Sequence, residues 1–404
     1  MKKNRLVFMI NTYFKRADKI LWLIMIFIAV FSLILLKSVS RATNTDYFQV
    51  QFLSLIIGLC AAFVLTIVDY SAIANYWYII AFSAVFLMIY TIFFGINISG
   101  SGGVNATAWI NIGGRTIQTS EFVKIGFIIT FAKHLDILKE KGTLNKFTNV
   151  LILSIHAATP VILCHVQGDD GAGLVFFSMF IFMSFAAGIH GKYFAVLGVM
   201  LIVAVPILWN YILSDYQIER FTAVYNLDDP EVILSTGYQQ YQARISIANG
   251  GLFGLGLFNG TRVATNIVTF QHSDFIFSVA GEETGFVGCS ILIASLTVLM
   301  FRVLYIANNS RDYLGKVMCY GFFGLILFQS VSNIGMCLAL LPVIGITLPF
   351  YSAGGSSLIS LYLGLGLVEC IYMKKNQEQN IKLNPRNFNY INYSKFKTEE
   401  FENI

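Results

Sequence analysis

Long apolar runs alternate with polar segments along the whole of this chain. Runs near the ~20 residues needed to cross a bilayer recur at 20–37, 48–68, 73–95, 119–135, 149–166, 171–189, 192–212, 275–305, 315–341 and 354–373. They are unbroken, not alternating, which selects helices over a membrane barrel. The pattern therefore predicts an all-α integral membrane protein with about ten transmembrane helices. The fourth run is the shortest and carries Glu121 and Lys124. Polar, Gly-rich segments fall at 96–120, 167–171, 213–273 and 342–355. The third is a large loop between spans seven and eight, and loops beyond ~15 residues are uncommon unless they carry function. Within it, Ser246 to Gly260 is amphiphilic and Gly-rich, which suits a segment lying along the membrane interface. Residues 1–373 form a single polytopic membrane domain, and 374–404 form a polar, Asn-rich tail with no expected order.

An even number of spans puts both termini on one side, and charge assigns that side. Of the 27 Lys and Arg residues, 20 fall in segments on the side of the termini, 6 fall on the opposite side, and Lys124 lies inside a span. This bias places both termini in the cytoplasm and the 213–273 loop outside. The basic N-terminus leads into a long apolar run without a small-residue cleavage site, so the first span is expected to be retained.

Composition agrees: 56% of residues are hydrophobic and 12% charged, with a net charge of +5 confined to tails and loops. That excludes a soluble enzyme and gives no basis for nucleic-acid binding. Cys60, Cys164, Cys289, Cys319, Cys337 and Cys370 lie in or beside apolar runs without metal-ligand spacing, and read as small buried hydrophobes.

The candidate chemistry gathers at the loop-side ends of the spans. Asp274 stands where the longest polar segment meets an apolar run, with Glu282 and Glu283 two to three turns further in. An acid at such a boundary is costly to keep and is read as functional. Glu121 and Lys124, three apart, share a helix face. They are either a neutralised pair at a helix start capped by Ser120, or an intramembrane charge pair on a substrate path, where Lys124 would hold a phosphate. Asp169 and Asp170 sit in a tight turn and serve turn chemistry or function. Trp109 reads first as an interfacial anchor. Ser356 and Ser357 open the last span behind a Gly-Gly entry, as a cap or an anion site. His272 is two residues before Asp274 and reads as its hydrogen-bonding neighbour. No Walker loop, nucleophile elbow or metal-binding His pair is present.

Taken in order, these segments resemble the SEDS (shape, elongation, division and sporulation) family of ten-span peptidoglycan polymerases. The resemblance covers about residues 20–373. It rests on Trp109-Ile110 followed by Gln118-Thr119-Ser120-Glu121-Phe122-Val123-Lys124, on Gln167-Gly168-Asp169 with Gly171, and on Gly237-Tyr238-Gln239 with the 250–260 stretch. It also rests on His272-Ser273-Asp274-Phe275-Ile276-Phe277 with Gly281-Glu282-Glu283, on Asn333-Ile334-Gly335-Met336, and on Leu348-Pro349-Phe350 through Ser357. Phe258-Asn259-Gly260-Thr261 and Asn333 to Met336 are more similar to the elongation branch than to the division branch. The chain departs from the family pattern at Val268-Thr269-Phe270, at Thr119 in place of Pro, at Asp170 in place of an apolar or small residue, and at Ala353 in place of an aromatic.

The resemblance implies a catalytic Asp274 and a polar cavity that includes Glu121, Lys124 and Asp169. The matched positions Trp109, Gln239, His272 and Ser356 join them as substrate-binding residues. It implies lipid II as substrate in a bacterial cytoplasmic membrane. The implied partners are a class B penicillin-binding protein, other proteins of the cell-wall synthesis complex and membrane lipid. The reaction joins a sugar 4-hydroxyl to an anomeric carbon with loss of undecaprenyl diphosphate. It needs a base and cationic help for the leaving group, from Lys124 or from a divalent cation, Mg or Mn. A lipid II flippase is the rival reading, and it would need polar groups through the full membrane depth. A scaffold that only recruits a transpeptidase is the third.

Overall fold

The computed structural model describes residues 15–99, 105–211 and 213–383. Among these, nine helices are long and apolar enough to cross a membrane. They are α1 (Lys19–Thr43), α2 (Tyr47–Ile67), α4 (Trp77–Phe94), α6 (Phe147–Val166), α7 (Asp170–Ala187), α8 (Gly191–Tyr211), α13 (Ile276–Asn308), α14 (Tyr313–Cys337) and α15 (Gly355–Leu383). The fourth predicted span is also a helix, α5 (Thr119–Glu140), but its charges keep it below the apolarity of the others. The third begins with a separate short helix, α3 (Tyr70–Asn75). The last helix continues to Leu383, beyond the Lys374 boundary expected for an unordered tail. Residues 384–404 lie outside the described residues.

The middle of the molecule is made by α14 and α15, each with 67% of its most apolar window buried, while α8 buries no side chain. In a membrane, buried positions must pack by shape, since lipid is as apolar as leucine. Gly366 of α15 meets Ala62 of α2 so closely that an added Cβ would lie 2.6 Å from the Ala62 Cα. The outward faces are apolar in turn: Phe82, Phe93 and Ile202 are each at least 74% exposed. Among the cysteines Cys60 is exposed on α2, against expectation, and the other five are buried.

Two segments differ from the expected pattern. The polar 96–120 stretch is not an irregular loop. It forms an antiparallel sheet of β1 (Ile96–Ser99), β2 (Asn105–Ile112) and β3 (Arg115–Gln118), in the order β1-β2-β3. Gly113 and Gly114, both at positive φ, make the two-residue hairpin between β2 and β3. The second is α13, which is not continuous. Gly285 has φ 64° and ψ −164°, and breaks the helix about two and a half turns in from its start. The backbone groups this frees are taken up by the glycine-rich part of the long loop. Leu255 N and Gly256 N donate to the Glu282 and Glu283 carbonyls at 2.9 and 3.1 Å, and Phe286 N and Val287 N donate to Gly251 and Leu252 at 2.9 and 3.1 Å. Irregular backbone at membrane depth survives only when it is paired in this way. The fit excludes side chains: a Cβ on Gly254 would lie 2.1 Å from the Glu283 carbonyl oxygen.

The long loop carries α9 (Asp215–Ala223), α10 (Pro230–Leu234), α11 (Tyr238–Asn249) and α12 (Thr261–Ala264). Gln240, buried on α11, ties it to the end of α14 by donating to the Met336 and Leu341 carbonyls.

Candidate active site

The start of α5 gathers most of the predicted residues. Register pairs Trp109 on β2 with Gln118 at the end of β3. The Gln118 amide donates to Asp169 Oδ2 at 2.8 Å, and Ser120 Oγ reaches the same oxygen at 3.3 Å. Asp169 also caps α7, accepting from Ala172 N at 3.1 Å. Its position thus serves the turn and the polar cluster together. Burial raises the Asp169 carboxyl above the ordinary carboxylate range, against the opposing pull of the Ala172 N–H and the Gln118 amide. Ser120 is not the helix cap expected of it. The cap position is Gln118, which makes no side-chain capping bond, and Ser120 points to Asp169.

One turn further in, Lys124 Nζ lies 2.8 Å from Glu121 Oε2, and both side chains are buried. Ser360 of α15 donates to the same Glu121 oxygen at 3.4 Å. Such a pair is self-neutralised, and removing either partner would strand a buried charge. Ser356, at the start of α15, accepts from the Gln118 backbone N–H at 3.2 Å.

Asp274 is 7% exposed and sits at the head of α13, fixed through its backbone. Asn333 Nδ2, on α14, donates at 2.7 Å to both the Asp274 and the Ile346 carbonyls, and Cys337 Sγ lies 3.7 Å from the former. The preceding residues are held by the 348–353 strip. Ala353 N donates to the His272 carbonyl at 2.8 Å, and Ser352 Oγ donates to the Ser273 carbonyl. The His272 ring stacks on Tyr47 with centroids 4.0 Å apart, and burial pushes its pKa down to about 4, so it is neutral at physiological pH.

The two groups are connected by the 342–356 strip. Ala353 grips the Asp274 side and Ser356 grips Gln118, and three residues span about 11 Å at most. Gln51 on α2 clamps the strip between them, donating to the Ser352 carbonyl at 3.1 Å and accepting from Gly354 N at 3.3 Å. Trp109 and Asp169 also line a shared cleft of about 160 Å³ whose far wall is residues 342–345. Gln239 is not drawn into this network. Its amide makes a reciprocal pair with Thr269, at 3.0 and 2.9 Å, within the loop.

A family model described as "Cell cycle protein" (FTSW_RODA_SPOVE) matches residues 16–377. Peptidoglycan glycosyltransferase MrdB of Escherichia coli (strain K12) is 34% identical over 292 residues, 72% of this chain and 77% of that protein. The chain belongs to the FtsW/RodA/SpoVE family. Its fold is shared with solved members. A structure titled "Structural coordination of polymerization and crosslinking by a peptidoglycan synthase complex" matches with TM-score 0.76 and 26% identity, over 89% of this chain and 99% of that one. The rod shape determining protein RodA of Thermus thermophilus matches with TM-score 0.66 and 25% identity, over 89% and 97%.

In this member of the family, sequence reasoning missed the residues that hold the site from behind. Gln51 had a signal, a lone amide in an apolar span, which must find a partner. Asn333 stands in a sequence motif, but its role as a bridge depends on partners distant in the chain. Glu282 and Glu283, deeper in the same motif as Asp274, anchor the loop. Glu282 accepts from Arg262 N at 2.8 Å and Val263 N at 3.0 Å, and Glu283 accepts from Ser38 Oγ. Among the described residues no group of three or more His, Cys, Asp or Glu side chains is placed to hold a metal ion.

Proposed function

We infer that this chain is a peptidoglycan glycosyltransferase that polymerises lipid II at the outer face of a bacterial cytoplasmic membrane, for growth of cell shape. The observation that carries this reading is Asp274, a carboxylate at the head of a membrane helix whose backbone is fixed by Asn333 and by the 348–353 strip. Family membership and the names of the relatives support it. The same charge bias that puts Lys and Arg on the side of the termini places those termini in the cytoplasm and the Asp274 rim outside.

Asp274 acts as the general base. It takes the proton of the sugar 4-hydroxyl, the freed oxygen forms a bond to the anomeric carbon, and the carbon–oxygen bond to diphosphate breaks. Its electron pair leaves with undecaprenyl diphosphate. Fixing the base by its backbone keeps the attack distance, which is worth orders of magnitude in rate. Lys124 is the cation for the departing diphosphate. Glu121 pairs with it until the anion replaces the carboxylate at the start of α5. Trp109, Asp169 and Ser356 surround that start and bind substrate; His272 supports the Asp274 turn as a neutral ring.

The partner is a class B penicillin-binding protein, a reading supported by the likeness to a chain of a peptidoglycan synthase complex. Lipid II polymerisation by the purified full chain, with and without such a partner, tests the function. Glycan product supports it. Lipid II scrambling in liposomes without product would instead make the chain a flippase.

A further inference from the structure

The loop helix α9 is seated on the site by one contact that the mechanism above does not use. Gln217 is the third residue of α9. Its Oε1 accepts from Ser214 N at 3.1 Å, closing the cap of its own helix. Its Nε2 donates to Asp170 Oδ2 at 3.2 Å, across 47 residues of sequence. The other Asp170 oxygen lies 2.7 Å from His165 Nδ1. One amide therefore fixes both the start of α9 and its placement on the turn between α6 and α7. Three and four residues later, on the same helix face, come Arg220 and Phe221. All three line the 160 Å³ cleft together with Trp109, Asp169 and Asp170. Phe221 is held from the other side by Trp209 of α8, with ring centroids 6.0 Å apart.

The chemistry of this lining selects its occupant. Two carboxylates disfavour a phosphate, and a guanidinium disfavours an amine. A neutral ring with several hydroxyls can donate to the carboxylates, accept from Arg220 and Gln217, and lay its C–H face on an indole. The cleft is smaller than the ~300–1,000 Å³ that encloses a drug-sized ligand, which suits a single ring. We propose that Asp170, Arg220 and Trp109 form a subsite for one pyranose ring of the glycan substrate, with Gln217 as the positioning residue that holds α9 over it. The proposal deepens the glycosyltransferase reading and rests on it for the identity of the sugar. The cleft wall at 342–345 runs directly into Ile346, which shares the Asn333 amide with Asp274, so a ring bound here lies beside the reacting centre.

The test has two arms, both with the full chain in detergent. The first measures initial polymerisation rates against lipid II concentration for Arg220→Ala, Arg220→Lys and Asp170→Asn. Loss of a charge-assisted hydrogen bond should raise KM about tenfold, with kcat falling far less. Arg220→Lys keeps the charge without the fork and should fall between wild type and Ala. Gln217→Ala should raise KM in the same way. The second arm follows saturation transfer by NMR from the protein to a soluble β-1,4-linked N-acetylglucosamine oligosaccharide, expected in wild type and weakened in Arg220→Ala. A wild type that polymerises lipid II while all four variants keep its KM overturns the subsite and leaves the glycosyltransferase intact. A kcat loss at constant KM overturns it too, by making these residues structural. Saccharide contact that depends on Arg220 in a chain that makes no polymer supports the subsite and removes the polymerase reading.

Discussion

Asp274 and Glu282 are carboxylates eight positions apart in one motif, and the fold uses them in opposite ways. Glu282 is fully buried, and its two oxygens collect backbone N–H groups of Arg262 and Val263 and the Thr261 hydroxyl. It is a strut between α13 and the loop. Asp274 is held through its carbonyl, by Asn333, and stands where the loop turns into the helix. Glu121 is a third case, buried against Lys124. All three are acids and all three are buried. They differ in the contacts that hold them: loop N–H groups on the Glu282 oxygens, Lys124 on Glu121, and Asn333 on the Asp274 carbonyl. Glu282 stabilises the fold through its carboxylate oxygens, and Asn333 positions the backbone of Asp274.

The largest effect expected from this contrast is at Asp274. Asp274→Asn keeps shape and most hydrogen bonds, and should cost about 10²–10⁴-fold in polymerisation rate while the thermal midpoint of the purified protein stays near wild type. A full-rate Asn variant would break the comparison outright. Next comes Lys124. Lys124→Ala strands Glu121 in the interior and should lower stability by about 3–5 kcal/mol, seen as reduced yield and an earlier thermal transition. The double variant Glu121→Gln with Lys124→Met should recover much of that stability but not activity, which separates structural pairing from a role toward the diphosphate.

Glu282→Gln should show the reverse of Asp274→Asn. Replacing a charged acceptor by an amide at two N–H contacts should cost about 1.5–3 kcal/mol of stability, with activity falling only as folded protein is lost. Rate loss without stability loss would put Glu282 in the chemistry. The smallest effect is a pH dependence. The His272 pKa lies at about 4 in the folded chain, below the ~6.5 of an unfolded histidine. Below pH ~6.5 the unfolded state binds the extra proton, so this stability term is complete above that value and is lost as pH falls toward 4. A His272→Gln variant should flatten the thermal midpoint over that window, and an unchanged slope would show that another group titrates.

Much of this was legible in the chain. Span positions followed from apolar length alone, because lipid requires it, and the motif acids fell at span ends because charge is expelled from hydrocarbon. The hairpin at Gly113-Gly114 had a sequence signature that the surrounding polarity obscured, since a short sheet at a rim shows too few alternating positions to stand out. The break at Gly285 was hidden for a different reason: a glycine in an apolar run reads as packing until a second strand of backbone is seen to replace its helical bonds.

By itself, then, the sequence determined the membrane architecture and the span ends at which polar residues collect, and it named the acids and the lysine proposed for the site. These depend on composition over windows of residues and on local spacing, which a linear string records. The tertiary structure alone decided which acid is a strut and which is backed by its carbonyl, that Gln51 and Asn333 hold the 342–356 strip, and that α9 closes over the cleft. Each of these is a hydrogen bond between residues from 13 to about 300 positions apart, and nothing local in the chain encodes which distant donor a buried acceptor will meet.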